Sequence, residues 1–265
     1  MKAFWRALGY AVLALGFLAL FSAASAFAAG VVQSIKGDVK AGPVGQAAAP
    51  VAVNQRLMSG TAVTTGPDAQ VILRFDDGQQ VVLNQNTEFR IVDFRYEASD
   101  AKMDRTVFEL IKGALRMASG AIIGRNRQAV ALRTPQATIG IRGTDFMVAL
   151  VNPAYISVLR GAVTATNAAG TVAFGAGTFG TVATSAVLAT AIPASALPAA
   201  ASAAFSSMSA AAGVAAAGGA SEGAAGTATA AGGTPAATAA TIGAAAAAVA
   251  GAAAASRSTS TTTHH

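Results

Sequence analysis

Between Val31 and Val182 the chain is a succession of short apolar runs, rich in Val, Ile, Leu, Phe and Thr and interrupted by glycine at frequent intervals. None has the three-to-four-residue spacing of an amphipathic helix, whereas β-branched and aromatic runs bounded by turn residues read as strands. This confines the segment to an all-β architecture. The clearest local element is Val71-Ile72-Leu73-Arg74-Phe75, then Asp76-Asp77-Gly78-Gln79, then Gln80-Val81-Val82-Leu83. Two strand-like runs flank an Asp-Gly pair, Asp77-Gly78, which tolerates the positive φ angles of a type I′ hairpin turn. A calcium loop at Asp76 and Asp77 would need further oxygen ligands at loop spacing, and the sequence does not supply them.

A short pattern recurs at Ile35-Lys36-Gly37-Asp38-Val39, Ile111-Lys112-Gly113-Ala114-Leu115 and Leu159-Arg160-Gly161-Ala162-Val163. Each copy is apolar, basic, glycine, small or acidic, apolar. With strand-like residues before the later two, Gly37, Gly113 and Gly161 mark a repeated strand corner: a bulge, a bend or a close approach of backbones. The copies are unequally spaced, so no fixed-period solenoid is indicated. A short irregular β-helix and a β-sandwich with bent strands both fit.

The segment from Arg133 to Phe146, RTPQATIGIRGTDF, packs charges, Pro135, Gly140 and Gly143 between short apolar runs. Pro135 forces Thr134 toward extended geometry, the glycines permit close approach or positive φ, and Arg142 can reach Asp145 or nearby carbonyls. Thr134, Pro135, Gly140, Arg142, Gly143, Thr144 and Asp145 therefore form a candidate structural or interaction loop entering a buried strand. Expected core positions are Ile72, Leu73, Phe75, Val82, Leu83, Phe89, Val107, Leu110, Leu115, Ile139, Ile141, Phe146, Val148, Ile156, Val158 and Val163. Phe94 to Arg105, which carries both signs of charge, reads as a solvent-exposed loop within the domain.

Only 11% of the 265 residues are charged, and their distribution divides the chain. Lys2 and Arg6 precede an apolar run from Ala7 to Phe21 and a small-residue stretch ending in Ala26-Phe27-Ala28, which is the order of a cleavable secretory signal peptide over 1–28. The fifteen-residue run is shorter than the roughly 20 residues of a spanning helix. A β-domain over 29–184 follows, and then an Ala-, Gly- and Thr-rich low-complexity tail over 185–265. Within that tail, Ile192-Pro193 and Leu197-Pro198 are placed to cross back over the β-domain as a strap. Ala199 to Ala217 has the composition of a helix with Phe205 and Met208 on one face. A second Ala-rich run, 241–255, offers a membrane contact through small residues. The expected location is periplasmic or secreted.

The chain has no cysteine, and both histidines are at its C-terminus, His264 and His265. The β-domain thus lacks the commonest general base and any thiol nucleophile. Its carboxylates are scattered without an evident pair, no glycine-rich phosphate loop opens a helix, and no basic stripe is interleaved with aromatics. The reading is a non-catalytic chain with no cofactor, no metal site and no nucleic-acid partner. A net charge of +6 suits an anionic surface.

The landmarks Gly37-Asp38-Val39, LMSGTAVTTG from Leu57 to Gly66, VILRFDDG from Val71 to Gly78, Gly113-Ala114-Leu115-Arg116, TPQATIGIRGTDF from Thr134 to Phe146 and Leu159-Arg160-Gly161-Ala162-Val163 resemble, in order, those of the FecR-domain family. The resemblance spans Val31 to about Val182. It implies an all-β domain that binds other proteins and does no catalysis. Membrane-embedded regulators of this family hold a sigma factor on a cytoplasmic region ahead of a transmembrane helix. The six residues before the apolar run here are too few for such a region, so an anti-sigma role is not expected. The expectation is an exported protein-interaction or scaffold module of the bacterial envelope, related to signalling through its family and acting on an envelope protein. The alternative is binding of a cell-wall or surface polysaccharide, an anionic one by charge, with the Ala-rich tail anchoring or multimerising the protein.

Overall fold

The computed structural model describes residues 28–218. The leader, the 241–255 run and the terminal histidines lie outside the described residues. The protein is all-β, with seventeen strands, two α-helices and one short 3-10 helix, Ala194–Ala196, in the described part. In order these are β1 (Ala28–Lys36), β2 (Val39–Pro43), β3 (Ala49–Pro50), β4 (Arg56–Met58), β5 (Thr61–Thr65), β6 (Gln70–Phe75), β7 (Gln80–Leu83), β8 (Glu88–Arg95) and β9 (Arg105–Ala118). The chain continues through α1 (Ile122–Arg125), β10 (Val130–Arg133), β11 (Thr138–Ile141), β12 (Asp145–Leu150), β13 (Ala154–Arg160), β14 (Ala162–Asn167), β15 (Gly170–Gly175), β16 (Phe179–Val182), β17 (Thr190–Ile192) and α2 (Ala199–Gly218).

Pairing assembles the strands into two layers. One runs β4-β1-β6-β7-β9-β12-β13-β16-β17. The other runs β3-β2-β5-β8-β9-β10-β11-β14-β15, antiparallel except where β10 meets β9. Strand β9 belongs to both: up to Lys112 it pairs with β8, and from Gly113 it pairs with β12. The arrangement is a sandwich with bent strands rather than a β-helix, because consecutive strands pair mostly as antiparallel neighbours.

Alternation along the strands fixes the interior. Leu73, Phe75, Leu83, Leu115, Phe146, Val148, Ile156 and Val158 of the first layer face Phe89, Leu110, Ile139, Ile141 and Val163 of the second in one apolar cluster. Aromatic rings knit the layers where Phe75 meets Phe108 at 4.7 Å and Phe94 at 5.1 Å between centroids.

The outer face of the first layer carries a second apolar cluster of Ile72, Val82, Ala114, Met147 and Ala149, covered by Ala201, Phe205 and Met208 of α2. These three recur at i, i+4 and i+7, which places them on one helical face. Alanine is the best helix former, and Pro198 stands immediately before the first turn. β17 and α2 fall within the segment that composition assigns to the tail, yet β17 extends the first layer beside β16 and α2 lies on that layer. Three apolar side chains are enough to seat a helix whose other residues are small. No helix among the described residues is long and apolar enough to cross a membrane.

Candidate interaction surfaces

The recurring glycine motif lies where the chain passes from one layer to the other. Gly37 joins β1 to β2, Gly113 divides β9, and Gly161 joins β13 to β14, with φ of +74°, +86° and +74°. Each also presses against a neighbouring corner. A Cβ on Gly37 would lie 2.8 Å from Ala69 Cα, one on Gly113 would lie 2.5 Å from Thr87 Cα, and one on Gly161 would overlap the Gly143 carbonyl. The glycines are therefore required twice, by a left-handed backbone and by the absence of room.

At the Gly113 end the corners are tied by buried hydroxyls. Thr65 Oγ1 donates to the Asn84 carbonyl at 2.5 Å and accepts from Thr87 N at 2.9 Å. Thr87 Oγ1 donates to the Ala114 carbonyl at 3.2 Å and accepts from Ala114 N at 3.1 Å. Threonine suits the role because one small hydroxyl can both donate and accept. A groove of about 800 Å³ opens beside this stack, lined by Lys36, Asp68, Asn84 and Asn86 and on the helix side by Ser207, whose hydroxyl donates to Asn84 Oδ1 at 3.0 Å.

The Thr134–Asp145 loop residues do not converge on one site. Thr134 and Pro135 form the β10–β11 turn, where Thr134 Oγ1 donates to the Ala137 carbonyl at 2.8 Å and accepts from Ala137 N at 3.1 Å. Gly140 lies within β11, where a Cβ would meet Thr164 Oγ1 at 2.6 Å. Gly143, at φ +71°, turns the chain into β12, and buried Thr144 is fastened through its backbone to the Ser119 hydroxyl at 2.7 and 2.8 Å. Asp145 pairs with Arg116, not with Arg142. The Arg116 guanidinium grips both carboxylate oxygens, Nε to Oδ1 at 2.8 Å and Nη2 to Oδ2 at 2.6 Å. The hydrogen bonds to Asp145, and then the attraction of its charge, hold Arg116 above its ordinary basicity against the lowering effect of partial burial. Arg142 remains exposed. The sequence brings Arg142 near Asp145, but β-pairing sets Asp145 opposite Ala118 on β9, within diagonal reach of Arg116 two residues along the same face.

The Asp77-Gly78 turn also differs from expectation. Only Gly78 has positive φ, +84°; Gly78 N bonds to the Phe75 carbonyl and Phe75 N to the Gln79 carbonyl. This is a three-residue loop with a glycine bulge, in place of a type I′ turn. Asp77 points inward and is 6% exposed, with Oδ1 accepting from Gln79 N at 3.0 Å and its carbonyl accepting from Ala121 N at 2.8 Å. Asp104, assigned on composition to an exposed loop, is buried beside Arg125 at 3.6 Å.

Sheet edges are the remaining surface with chemistry of its own. Three are blunted: β3 has two residues and ends in Pro50, β4 has three and carries Arg56, and β17 has three and runs into Pro193. The fourth, β15, is six residues of GTVAFG with one neighbour, β14, among the described residues. It has no charge, no proline and no register shift, the devices by which exposed edges are normally kept from pairing. Sequence reading missed this edge because pairing order is invisible in a list of strands.

Residues 61–164 match the sequence model of the family described as FecR protein. No curated protein matches the chain. Among solved structures, two crystal structures of a candidate anti-sigma factor from Parabacteroides distasonis ATCC 8503 are similar at 16% identity, with TM-scores of 0.40 and 0.39. The similarity covers 49% of this chain and 58% of that protein. The matched part runs from β5 into β14, and over residues 61–164 the sequence is that of a FecR-type domain.

Proposed function

We propose that the protein is a non-catalytic, exported protein-interaction or scaffold module of the bacterial envelope, related to signalling, which holds an extended segment of a partner protein by strand addition at β15. The observation that carries this reading is the unprotected edge from Gly170 to Gly175. Such an edge presents backbone donors and acceptors over about 20 Å, enough for a five- or six-residue partner strand. The match of residues 61–164 to the FecR protein family supports a regulatory role. The order of the N-terminal residues supports export.

The test is capture of envelope proteins by the full-length chain, compared with a variant carrying Thr171→Lys and Ala173→Lys. Both positions are exposed, so the fold is retained while the edge becomes charged. Saturable capture of a defined partner, lost in the variant, is expected. Equal capture by both proteins, or no saturable partner, refutes docking at β15.

A further inference from the structure

The two outer faces of the sandwich treat their arginines differently. On the second layer three of them are neutralised at home, Arg90 by Glu88 and Glu109 at 3.1 and 3.5 Å and Arg95 and Arg105 by a shared Asp93 at 3.3 and 3.0 Å, and a lone Arg133 at the end of β10 has no ion-pair partner among the described residues. On the first layer, beyond the area under α2, they are not. Register aligns Arg56, Val31, Arg74, Gln80, Ala118, Asp145 and Arg160 in one row across β4, β1, β6, β7, β9, β12 and β13. Residues directly opposite one another share a face. Since Val32, Leu57, Phe75, Val81, Met117 and Phe146 beside them point into the core, the row points outward. Asp145 is occupied by Arg116, while Arg56, Arg74 and Arg160 are exposed and have no ion-pair partner among the described residues.

Strands lie about 4.8 Å apart, so the row places its three unneutralised guanidinium groups at intervals of about 10 and 19 Å along one line. Between them Gln80 Nε2 donates to Gln33 Oε1 at 3.0 Å, a pair of amides beside Arg74. We infer that this row binds an acidic polysaccharide, a linear chain of sugar carboxylates lying across the strands. Planar guanidinium forks match carboxylates, and the intervening amides can exchange hydrogen bonds with sugar hydroxyls. An acidic peptide suits the site less well. Apart from the three-residue edge strand β4, the backbone groups of these strands are already engaged in the ladders on both sides, and peptides bind sheets through free backbone at an edge. The surface is separate from β15, and either can fail without the other.

The probe is alginate, a polyuronic acid, titrated into the full-length protein at low and moderate salt. Dextran serves as the neutral control, and poly-aspartate and phosphatidylglycerol vesicles as the other anions. Saturable alginate binding that weakens with salt is expected. In the variant R56Q/R74Q/R160Q it falls at least about tenfold, since exposed charge contacts are each worth a factor of about two to five. The variant K112Q/R127Q/R133Q, which removes the same charge elsewhere, retains it. Arg74→Glu alone, with its fold verified by circular dichroism, weakens binding as well and guards against a misfolded triple variant. Absence of saturable alginate binding, equal loss in the two triple variants, or tighter binding of poly-aspartate or vesicles overturns the inference.

Discussion

Replacing Gly113 with alanine tests whether the corner glycines are demanded by backbone conformation alone or also by the neighbouring corner. At φ +86° the left-handed backbone costs an alanine about 1–2 kcal/mol. Gly78, at φ +84° with nothing within 4 Å of the place a Cβ would take, would bear that cost and no other. At Gly113 the new methyl would lie 2.5 Å from Thr87 Cα and 2.8 Å from Thr87 Cβ. Thr87 is fully buried and cannot swing outward, so the corner must open and strain the two bonds between its hydroxyl and Ala114. Two buried hydrogen bonds add at least about 2 kcal/mol, for a total of about 3–5 kcal/mol. For a domain of this size each kcal/mol moves the melting temperature by about 2–4 °C, so Gly113→Ala should lower it by about 6–20 °C and Gly78→Ala by about 2–8 °C. Urea denaturation and thermal melts of the two variants read the difference. If they are equally stable within about 1 kcal/mol, crowding by Thr87 is refuted as a cause.

Two further perturbations address the buried charges. Burial raises the Asp77 carboxyl above its reference value of 3.8, with the charge of Asp104 adding to the rise, against the lowering effect of the Gln79 and Ile122 amides. The folded protein therefore holds this proton more tightly than the unfolded chain. Its contribution to stability declines as pH rises from about 3.8 through the folded value and is level above it. Asp77→Asn should remove that decline, as read from urea midpoints across acidic pH; an unchanged slope would assign it to another group. For Arg116 and Asp145, side chains 18% and 19% exposed and joined by two bonds, a double-mutant cycle with Arg116→Gln and Asp145→Asn should give a coupling of about 1–3 kcal/mol. A coupling below about 0.5 kcal/mol would reduce the pair to an ordinary surface contact.

Every expected core position, from Ile72 to Val163, is buried. Period-two alternation is a strong signal when one face meets the core and the other meets water. It carries less information where both faces are covered. Ile72 and Val82 are buried under α2, on the side opposite Leu73 and Leu83, and nothing in their strands distinguishes the two interiors. The glycine pattern marked the corners because the demand for positive φ is written into single residues. The partners of those corners were not legible: Thr87 lies 26 positions before Gly113, and Arg116 lies 29 before Asp145. Their association depends on strand order, which no local pattern encodes. The same is true of the arginine row, whose members come from strands scattered between Arg56 and Arg160.

The bent strand β9 and its pairings also bear on where this molecule can be cut. The family match begins at Thr61 and ends at Thr164. It includes β9 and its neighbours β7, β8, β10 and β12 but omits seven strands, β1–β4 and β15–β17, several of which lie directly beside strands it keeps. β1 sits beside β6, β2 beside β5, and β16 beside β13. A fragment confined to the matched residues would bare the edges of β5, β6 and β13, and that of β14 where β15 is lost, and would lose the inward Val32, Val39 and Val182. The hereditary unit and the mechanical unit therefore have different ends: the recognisable sequence is the middle of the sandwich, and the less recognisable flanks seal it.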